Sequence, residues 1–545
     1  MGIFNEEGEF ELNGRARKVL RGVGFYLLCV LCCNVLAYLY VKNSHFIYFW
    51  DNATYWDISK QIATGGQGRG LELAHKVYES MLHSDYNMLI ALLPAACMRL
   101  FGTSRLVYIL SLVNLYTVPS LVVLYLTARR QTRSPAVAVV LAALFTPAML
   151  FLGMAGFADV AGIGICFLCF FLVQPGTGQK KEKLPWWKGL ILGALLVLLM
   201  LMRRWYAFFA VSFLTAMAAE CVLQRRKPMA LIAAVLAVGG ILVLFFQPFI
   251  TEKLLTDYSE LYAGYKFSIP TDLKLFARYF GILPVCLFAC SVWTMVREKE
   301  FHLAFYWIQM ISCFLMFIAT QTHGQQHLLL YIPAFMMLLI QFLPRLRKWP
   351  SFLLVSVFAV VFMVNPFLLR QQPQSISEIE HYALVPDFSM RPRQRDDADS
   401  VLQLKQYLDE AVPEGKKVGI LASSFVINGD ILRNVEPSLN VEPSREDYIV
   451  QLPEVDSRDT DLTPLYTTDY MLVAYPAQIH LPAENQNVIL EAVNSFEAQT
   501  DIAAAYEPEG GRRIVGGVSV QLYRKVRNAN ETEIAAFHHK VQLFT

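Results

Sequence analysis

The sequence predicts an α-helical polytopic membrane domain of about eleven spans, with re-entrant or surface-lying helices in its first outer loop, followed by a soluble C-terminal α/β domain. Three observations lead there. Hydrophobic residues make up 55% of the 545 positions and charged residues only 17%, with a mean hydropathy of +0.39, which excludes an ordinary soluble globular protein. The net charge of +2 conceals a division: residues 1–369 hold 31 Lys and Arg against 18 Asp and Glu, whereas residues 370–545 hold 16 against 27. Two bodies in different surroundings account for this, and the acidic one is long enough to bury its own core. Finally, Lys and Arg cluster at every second turn between apolar runs, as cytoplasmic loops do. The chain therefore divides into a membrane domain (1–369), a Pro-containing linker (370–395) and a soluble domain (396–545).

Arg15, Arg17, Lys18 and Arg21 precede or open the apolar run Val19–Val41. That run is long enough to span and lacks a small-residue cleavage site, so it reads as an uncleaved first helix with a cytoplasmic N-terminus. Residues 42–104 form the first outer loop. Within it Tyr86–Gly102 is apolar but short and broken by Pro94. A full crossing there would deliver Arg129, Arg130 and Arg133 to the outer face, so a re-entrant or surface helix is expected. The remaining spans are Leu106–Ala128, Ala136–Leu152, Val160–Val173, Gly189–Met202, Trp205–Leu223, Leu231–Ile250, Phe276–Val296, His302–Thr320, Leu328–Phe342 and Phe352–Leu369. After the first arginine cluster, inward turns carry Lys180, Lys181, Lys183 and Lys188; Arg225, Arg226 and Lys227; Arg297 and Lys299; and Arg345, Arg347 and Lys348. The odd count puts the tail outside the cytoplasm, and the expected location is the plasma membrane.

The tail alternates in character: a helix near Asp399–Ala411, strands Lys417–Ala422 and Tyr470–Ala474, a helix Val488–Phe496, then strands Ile502–Tyr506 and Val518–Tyr523. Gly510, Gly511, Gly516 and Gly517 read as hairpin turns. The tail has no phosphate-binding glycine loop, nucleophile elbow or zinc pattern, so a binding or lid role is expected rather than a second catalytic centre. All ten cysteines fall in apolar segments of the membrane domain and read as packing residues.

Chemistry collects at the outward ends. In HFIYFWDNATYWDISKQIA, from His45 to Ala63, Asp51 stands between Trp50 and the pair Tyr55 and Trp56, aromatics that favour the membrane–water boundary. A carboxylate there suits a general base serving a water-soluble acceptor while the other substrate is a lipid; the alternative is an aromatic belt with an exposed Asp at a helix start. Asp159, in GMAGFAD, is either a helix cap or a functional carboxylate. Arg203, Arg204 and Tyr206 interrupt the apolar run Leu190–Leu223, and arginine suits a phosphate because its planar fork donates two hydrogen bonds; snorkelling to headgroups is the alternative. Tyr258 and Tyr262 share one face of a short helix in the outer loop Thr251–Arg278, suited to stacking on a sugar or an isoprene unit, or to anchoring the loop at the interface. QTHGQQH places His323, Gln326 and His327 at the outer mouth, where they can bind sugar hydroxyls or phosphate; with no acidic ligand beside them, no metal site is assigned.

These residues resemble the GT-C superfamily of integral membrane glycosyltransferases, which includes protein O-mannosyltransferases and the aminoarabinose transferase of lipid A. The resemblance covers roughly residues 19–369. Asp51-Asn52-Ala53-Thr54-Tyr55 is similar to the family's D-[E/D]-x-x-Y, whose first Asp is the proposed catalytic base. Asp85–Ser104 resembles its Y-P-P-L-Y…L-F-G-x-S segment through Tyr86, Leu100, Phe101, Gly102 and Ser104, although Asn87 and Met88 replace the paired prolines. Asn52 stands where many relatives carry a second acid, which speaks against a metal at that position. Asp159 looks like the family's second acidic position, Arg203 and Arg204 like its basic turn near the lipid phosphate, and His323–His327 like the polar turn facing the same cavity.

The resemblance implies inverting transfer of a sugar from a polyprenyl-phosphate donor to a glycan, lipid or protein acceptor on the non-cytoplasmic face. Asp51 and Asp159 would be catalytic, Arg203 and Arg204 would bind the donor phosphate, and Tyr55, Tyr86, Tyr206, Tyr258, Tyr262, His323, Gln326 and His327 would bind substrate. A divalent cation is left open, and Asp159 could orient the acceptor or hold such a cation. No nucleic-acid partner is expected. The alternative is a polytopic lipid or sugar-lipid flippase, against which stand the absence of an internal repeat and the gathering of polar residues at outer ends rather than mid-span.

Overall fold

The computed structural model describes residues 2–4, 10–12, 14–174, 184–225, 227–298, 301–342, 348–371, 386, 391–445 and 448–541. Lys180, Lys181, Lys183, Arg226, Lys299, Arg345, Arg347 and most of the 370–395 linker lie outside them.

Each expected span contains a helix. α1 (Gly14–Asn43) is the first. The outer loop then holds three helices: α2 (Asp51–Thr64), α3 (Leu71–His83) and α4 (Leu92–Phe101). With the 3₁₀ turn before it, α4 covers only Leu89–Phe101, far short of the ~20 residues a crossing helix needs. Among the described residues, Val19–Asn43, Arg105–Ala128 and Tyr206–Leu223 are long and apolar enough to cross a membrane unaided. Three further candidates are bent pairs, the sharpest at 108° between Met229–Phe245 and Gln247–Leu254.

Helices Trp186–Met202 and Met229–Phe245 meet through small residues. A Cβ on Gly189 would lie 2.1 Å from the Ala230 carbonyl oxygen, and one on Gly193 2.6 Å from that of Ala234. Two small residues four apart on each helix let the backbones touch, which in lipid replaces the hydrophobic drive for association. Five of the cysteines are buried in packing positions, and all ten are free thiols.

In the C-terminal domain, strands β1 (Val418–Leu421), β2 (Ile449–Val450), β3 (Tyr470–Tyr475), β4 (Tyr506–Val515) and β5 (Val518–Lys525) form one sheet in the order β2-β1-β3-β5-β4. The first three are parallel and the last two antiparallel. Side chains alternate across β3: Tyr470, Leu472 and Ala474 join the large core that continues into the membrane domain, and Met471, Val473 and Tyr475 face a second core around Phe496 and Phe537. Helices Ala398–Ala411 and Asn487–Ala498 match expectation closely. Two expectations need correction. Ile502–Ala505 belongs to a 3₁₀ turn rather than a strand, because Ile502, Ala503 and Ala505 point their apolar side chains into the second core from a turn. Gly510 and Gly511 lie inside β4 at a break in register between Glu509 and Arg513, whereas Gly516 and Gly517, both with positive φ, make the hairpin turn.

The carboxyl ends of the parallel strands point their loops at the membrane domain. Trp50 stacks edge-on against Phe425, 5.1 Å away, and Tyr48 N–H donates to Ser438 Oγ at 3.2 Å.

Candidate active site

Asp51 is the first residue of α2, where a carboxylate is favoured by the exposed N–H groups of the first helical turn. One oxygen accepts from the Tyr86 hydroxyl, and the other accepts from Gln326 Nε2 at 2.6 Å. The two donors come from opposite ends of the membrane domain, so the polar turn at Gln321–His327 and the first outer loop converge on one carboxylate. Asn52 points away: its side-chain amide donates to the Ala155 carbonyl and ties α2 to the loop before Asp159.

Arg203 lies behind Tyr86, with its guanidinium 4.4 Å from the Tyr86 ring and 5.3 Å from that of Tyr55. Its Nε meets Asp159 Oδ1 at 2.6 Å, and the Asp159 side chain is fully buried. Asp159 makes no capping hydrogen bond to the following helix. The Tyr206 hydroxyl donates to the Asp159 carbonyl at 2.8 Å, and Tyr55 and Tyr206 are both sealed from solvent. Asp159, Arg203 and Tyr206 therefore form a closed layer beneath Asp51.

Arg204 turns the other way. It pairs with Asp85, donates to the Tyr258 and Tyr262 hydroxyls, and lies 4.1 Å from the Tyr258 ring. Lys253 shares Asp85 at 2.9 Å. Burial alone would raise the Asp85 carboxyl, but Arg204 and Lys253 outweigh it and hold it below the ordinary carboxylate range. The Arg204 side chain is 16% exposed and that of Asp85 35%, against 7% for Arg203, so this second cluster is the open one.

The histidines divide from Gln326. His323 Nδ1 meets Asp272 Oδ1 at 2.7 Å and Nε2 meets the Tyr331 hydroxyl at 2.6 Å, with the ring stacked on Phe317. His327 Nδ1 accepts from the Gly324 N–H at 2.8 Å. Both rings are buried and shape the turn that presents Gln326. Among the described residues no group of three or more His, Cys, Asp or Glu converges to hold a metal.

Asp85, Lys253 and Asp272 escaped the sequence reading. Asp85 adjoins Tyr86, and Lys253 is one of four cations in the outer loop Thr251–Arg278, with Lys266, Lys274 and Arg278, so nothing in the sequence singles it out. Nor does anything single out Asp272, because its role exists only once His323 is beside it.

No protein-family model and no curated protein sequence matches this chain. Solved structures do resemble it, among them two states of one protein. ArnT from Cupriavidus metallidurans bound to undecaprenyl phosphate superposes with a TM-score of 0.55 at 14% identity, covering 93% of this chain and 99% of that one. The apo state of the same protein gives 0.54 at 13%, covering 94% and 99%. The likeness is one of fold, and it runs through the apolar helices and the strand-containing C-terminal region alike.

Proposed function

We propose that this GT-C-fold chain is an inverting glycosyltransferase that moves a sugar from a polyprenyl-phosphate donor to an acceptor on the non-cytoplasmic face. The observation that carries the reading is the carboxylate of Asp51, oriented by Tyr86 and Gln326 beside a cluster of three cations. Asp51 takes the proton of an acceptor hydroxyl or amine as that atom forms a bond to the anomeric carbon. The bond from the anomeric carbon to the phosphate oxygen breaks, and polyprenyl phosphate leaves with the electron pair.

Arg203, Arg204 and Lys253 face Asp51, Asp85 and Asp159, so the cluster is balanced before substrate arrives. A donor phosphate that displaces Asp85 gains both Arg204 and Lys253 and stabilises the leaving group where its charge develops. Arg203, held by Asp159, adds positive potential from behind the Tyr86 ring. The fold resemblance to a structure that holds undecaprenyl phosphate supports this donor class.

The test compares wild type with Asp51→Asn in membranes, following release of labelled sugar from a panel of polyprenyl-phosphate sugars, with folding checked in parallel. Turnover by wild type, reduced at least 10²-fold in folded Asp51→Asn, is the expected result. Equal turnover by the two removes the assignment, and lipid translocation that survives the substitution would favour a flippase.

A further inference from the structure

Trp50, the residue before Asp51, has φ 48° and ψ −129°, a backbone region that a bulky L-residue adopts only when its surroundings over-determine it. α2 has no capping side chain of its own to fix this entry. Locally the Thr54 hydroxyl donates to the Trp50 carbonyl at 3.0 Å and Phe49 packs on the indole, but the Trp50 N–H is held from the C-terminal region. Trp50 N–H donates to Asp430 Oδ2 at 2.8 Å across a sequence separation of 380 residues. The indole lies between Phe425 and the His480 ring, the latter 4.5 Å away. Asp430 is itself set by Arg433, 2.8 Å away on the next turn of the Gly429–Ser438 helix.

His480 reaches the opposite wall as well. Its Nδ1 contacts the Ser423 carbonyl at 2.9 Å, and its Nε2 meets the Tyr265 hydroxyl at 3.1 Å. Tyr265 packs on Tyr262, which accepts from Arg204, and the Tyr265 carbonyl accepts from Thr322 in the polar turn. One side chain thus touches the entry to the base on one side and the loop that holds the open arginine on the other.

We propose that the C-terminal domain sets the position of the base: Asp430 and His480 are positioning residues that hold Trp50, and through it Asp51, in register with the Tyr258–Tyr265 loop and Arg204. This rests on Asp51 being the general base. Without Asp430, Trp50 relaxes to an ordinary φ and the first turn of α2 swings. A displacement of about 1 Å at a reacting group costs on the order of 10²-fold in rate with little change in binding. Releasing Tyr265 from His480 loosens the arginine wall to a smaller degree.

The experiment uses the full-length protein in lipid, with the donor that wild type turns over in the polyprenyl-phosphate sugar panel. Asp430→Ala lowers kcat at least tenfold with donor KM within twofold, and Asp430→Asn, which keeps an acceptor for the Trp50 N–H, restores most of the loss. Hydrogen exchange, which needs no substrate, rises at least tenfold across residues 50–54 in Asp430→Ala and stays unchanged across β3. Tyr265→Phe, which removes one oxygen and leaves the packing, lowers kcat about threefold. Unchanged exchange at 50–54, or kcat unaffected by both Asp430→Ala and Tyr265→Phe, overturns the proposal. A fall in kcat that Asp430→Asn does not rescue overturns the hydrogen-bond assignment. Failure of the general-base assignment shows elsewhere, as transfer that persists in Asp51→Asn.

Discussion

Asp159 Oδ1 and Arg203 Nε meet at 2.6 Å in a pocket from which water is excluded, so two charges at opposite ends of separate helices become one buried pair. Breaking such a pair leaves an uncompensated charge and costs about 3–5 kcal/mol, whereas removing both charges together costs less. Asp159→Ala and Arg203→Met should each sharply reduce the folded, monodisperse fraction after detergent extraction. An Asp159→Asn, Arg203→Gln double variant should recover part of it, as measured by thermal unfolding during size-exclusion chromatography.

Gln326 donates to the oxygen of Asp51 that Tyr86 does not reach. A hydrogen bond to a charged group is worth about 1.5–3 kcal/mol, so Gln326→Leu should lower kcat roughly ten- to a hundredfold. Tyr86→Phe removes the other donor and keeps the ring over Arg203. The double variant should approach Asp51→Asn in a steady-state transfer assay.

Lys253 and Arg204 share Asp85 at the exposed end of the cluster. Lys253→Gln should raise donor KM about tenfold and weaken inhibition by free polyprenyl phosphate in parallel. Asp85→Asn, which frees both cations, should tighten that inhibition. Equal inhibition constants across the three proteins would remove Lys253 from phosphate binding.

Glu454 is buried next to the domain interface, and its carboxyl is pushed up to about 7, by burial first and by Asp430 second, with Arg458 at 3.7 Å pulling the other way. A folded-state value above the unfolded one makes the protonated form the stabilising one. Its contribution is complete below about pH 4.5 and is lost as pH rises through about 7. The full span is on the order of 3 kcal/mol. Glu454→Gln should unfold several degrees later than wild type at pH 8.5 and at the same temperature at pH 5, read by thermal denaturation of the purified protein.

The crossing of Trp186–Met202 and Met229–Phe245 admits no side chain at Gly193, because a Cβ would press on a backbone carbonyl that cannot rotate away. Gly193→Val should cost about 2–4 kcal/mol by overpacking and backbone strain, visible as lost folded yield. Gly239→Ala on the partner helix, where a Cβ meets nothing, is the matched control and should be silent.

The helices of the membrane domain, the acidic α/β body and the candidate carboxylate at Asp51 were legible from the sequence because each is a local signal. A run of apolar residues must be helical in lipid whatever it later touches, and charge asymmetry survives any fold. Among the segments missed in the tail, Gly429–Ser438, Ile449–Val450 and the helix Glu531–Val541 carry too few apolar residues among polar ones for a period to stand out. What the chain could not announce is partnership. His323 and Arg203 carry the residue types of a substrate site, yet Asp272 and Asp159 bind each into a buried pair, while Gln326, the least conspicuous member of its turn, reaches Asp51. Trp50 has the sequence character of an interfacial aromatic, and only the fold brings the distant Asp430 to its backbone N–H. Burial and ion pairing arise between segments hundreds of residues apart, so composition determines which groups are available and tertiary contact decides which remain free to act.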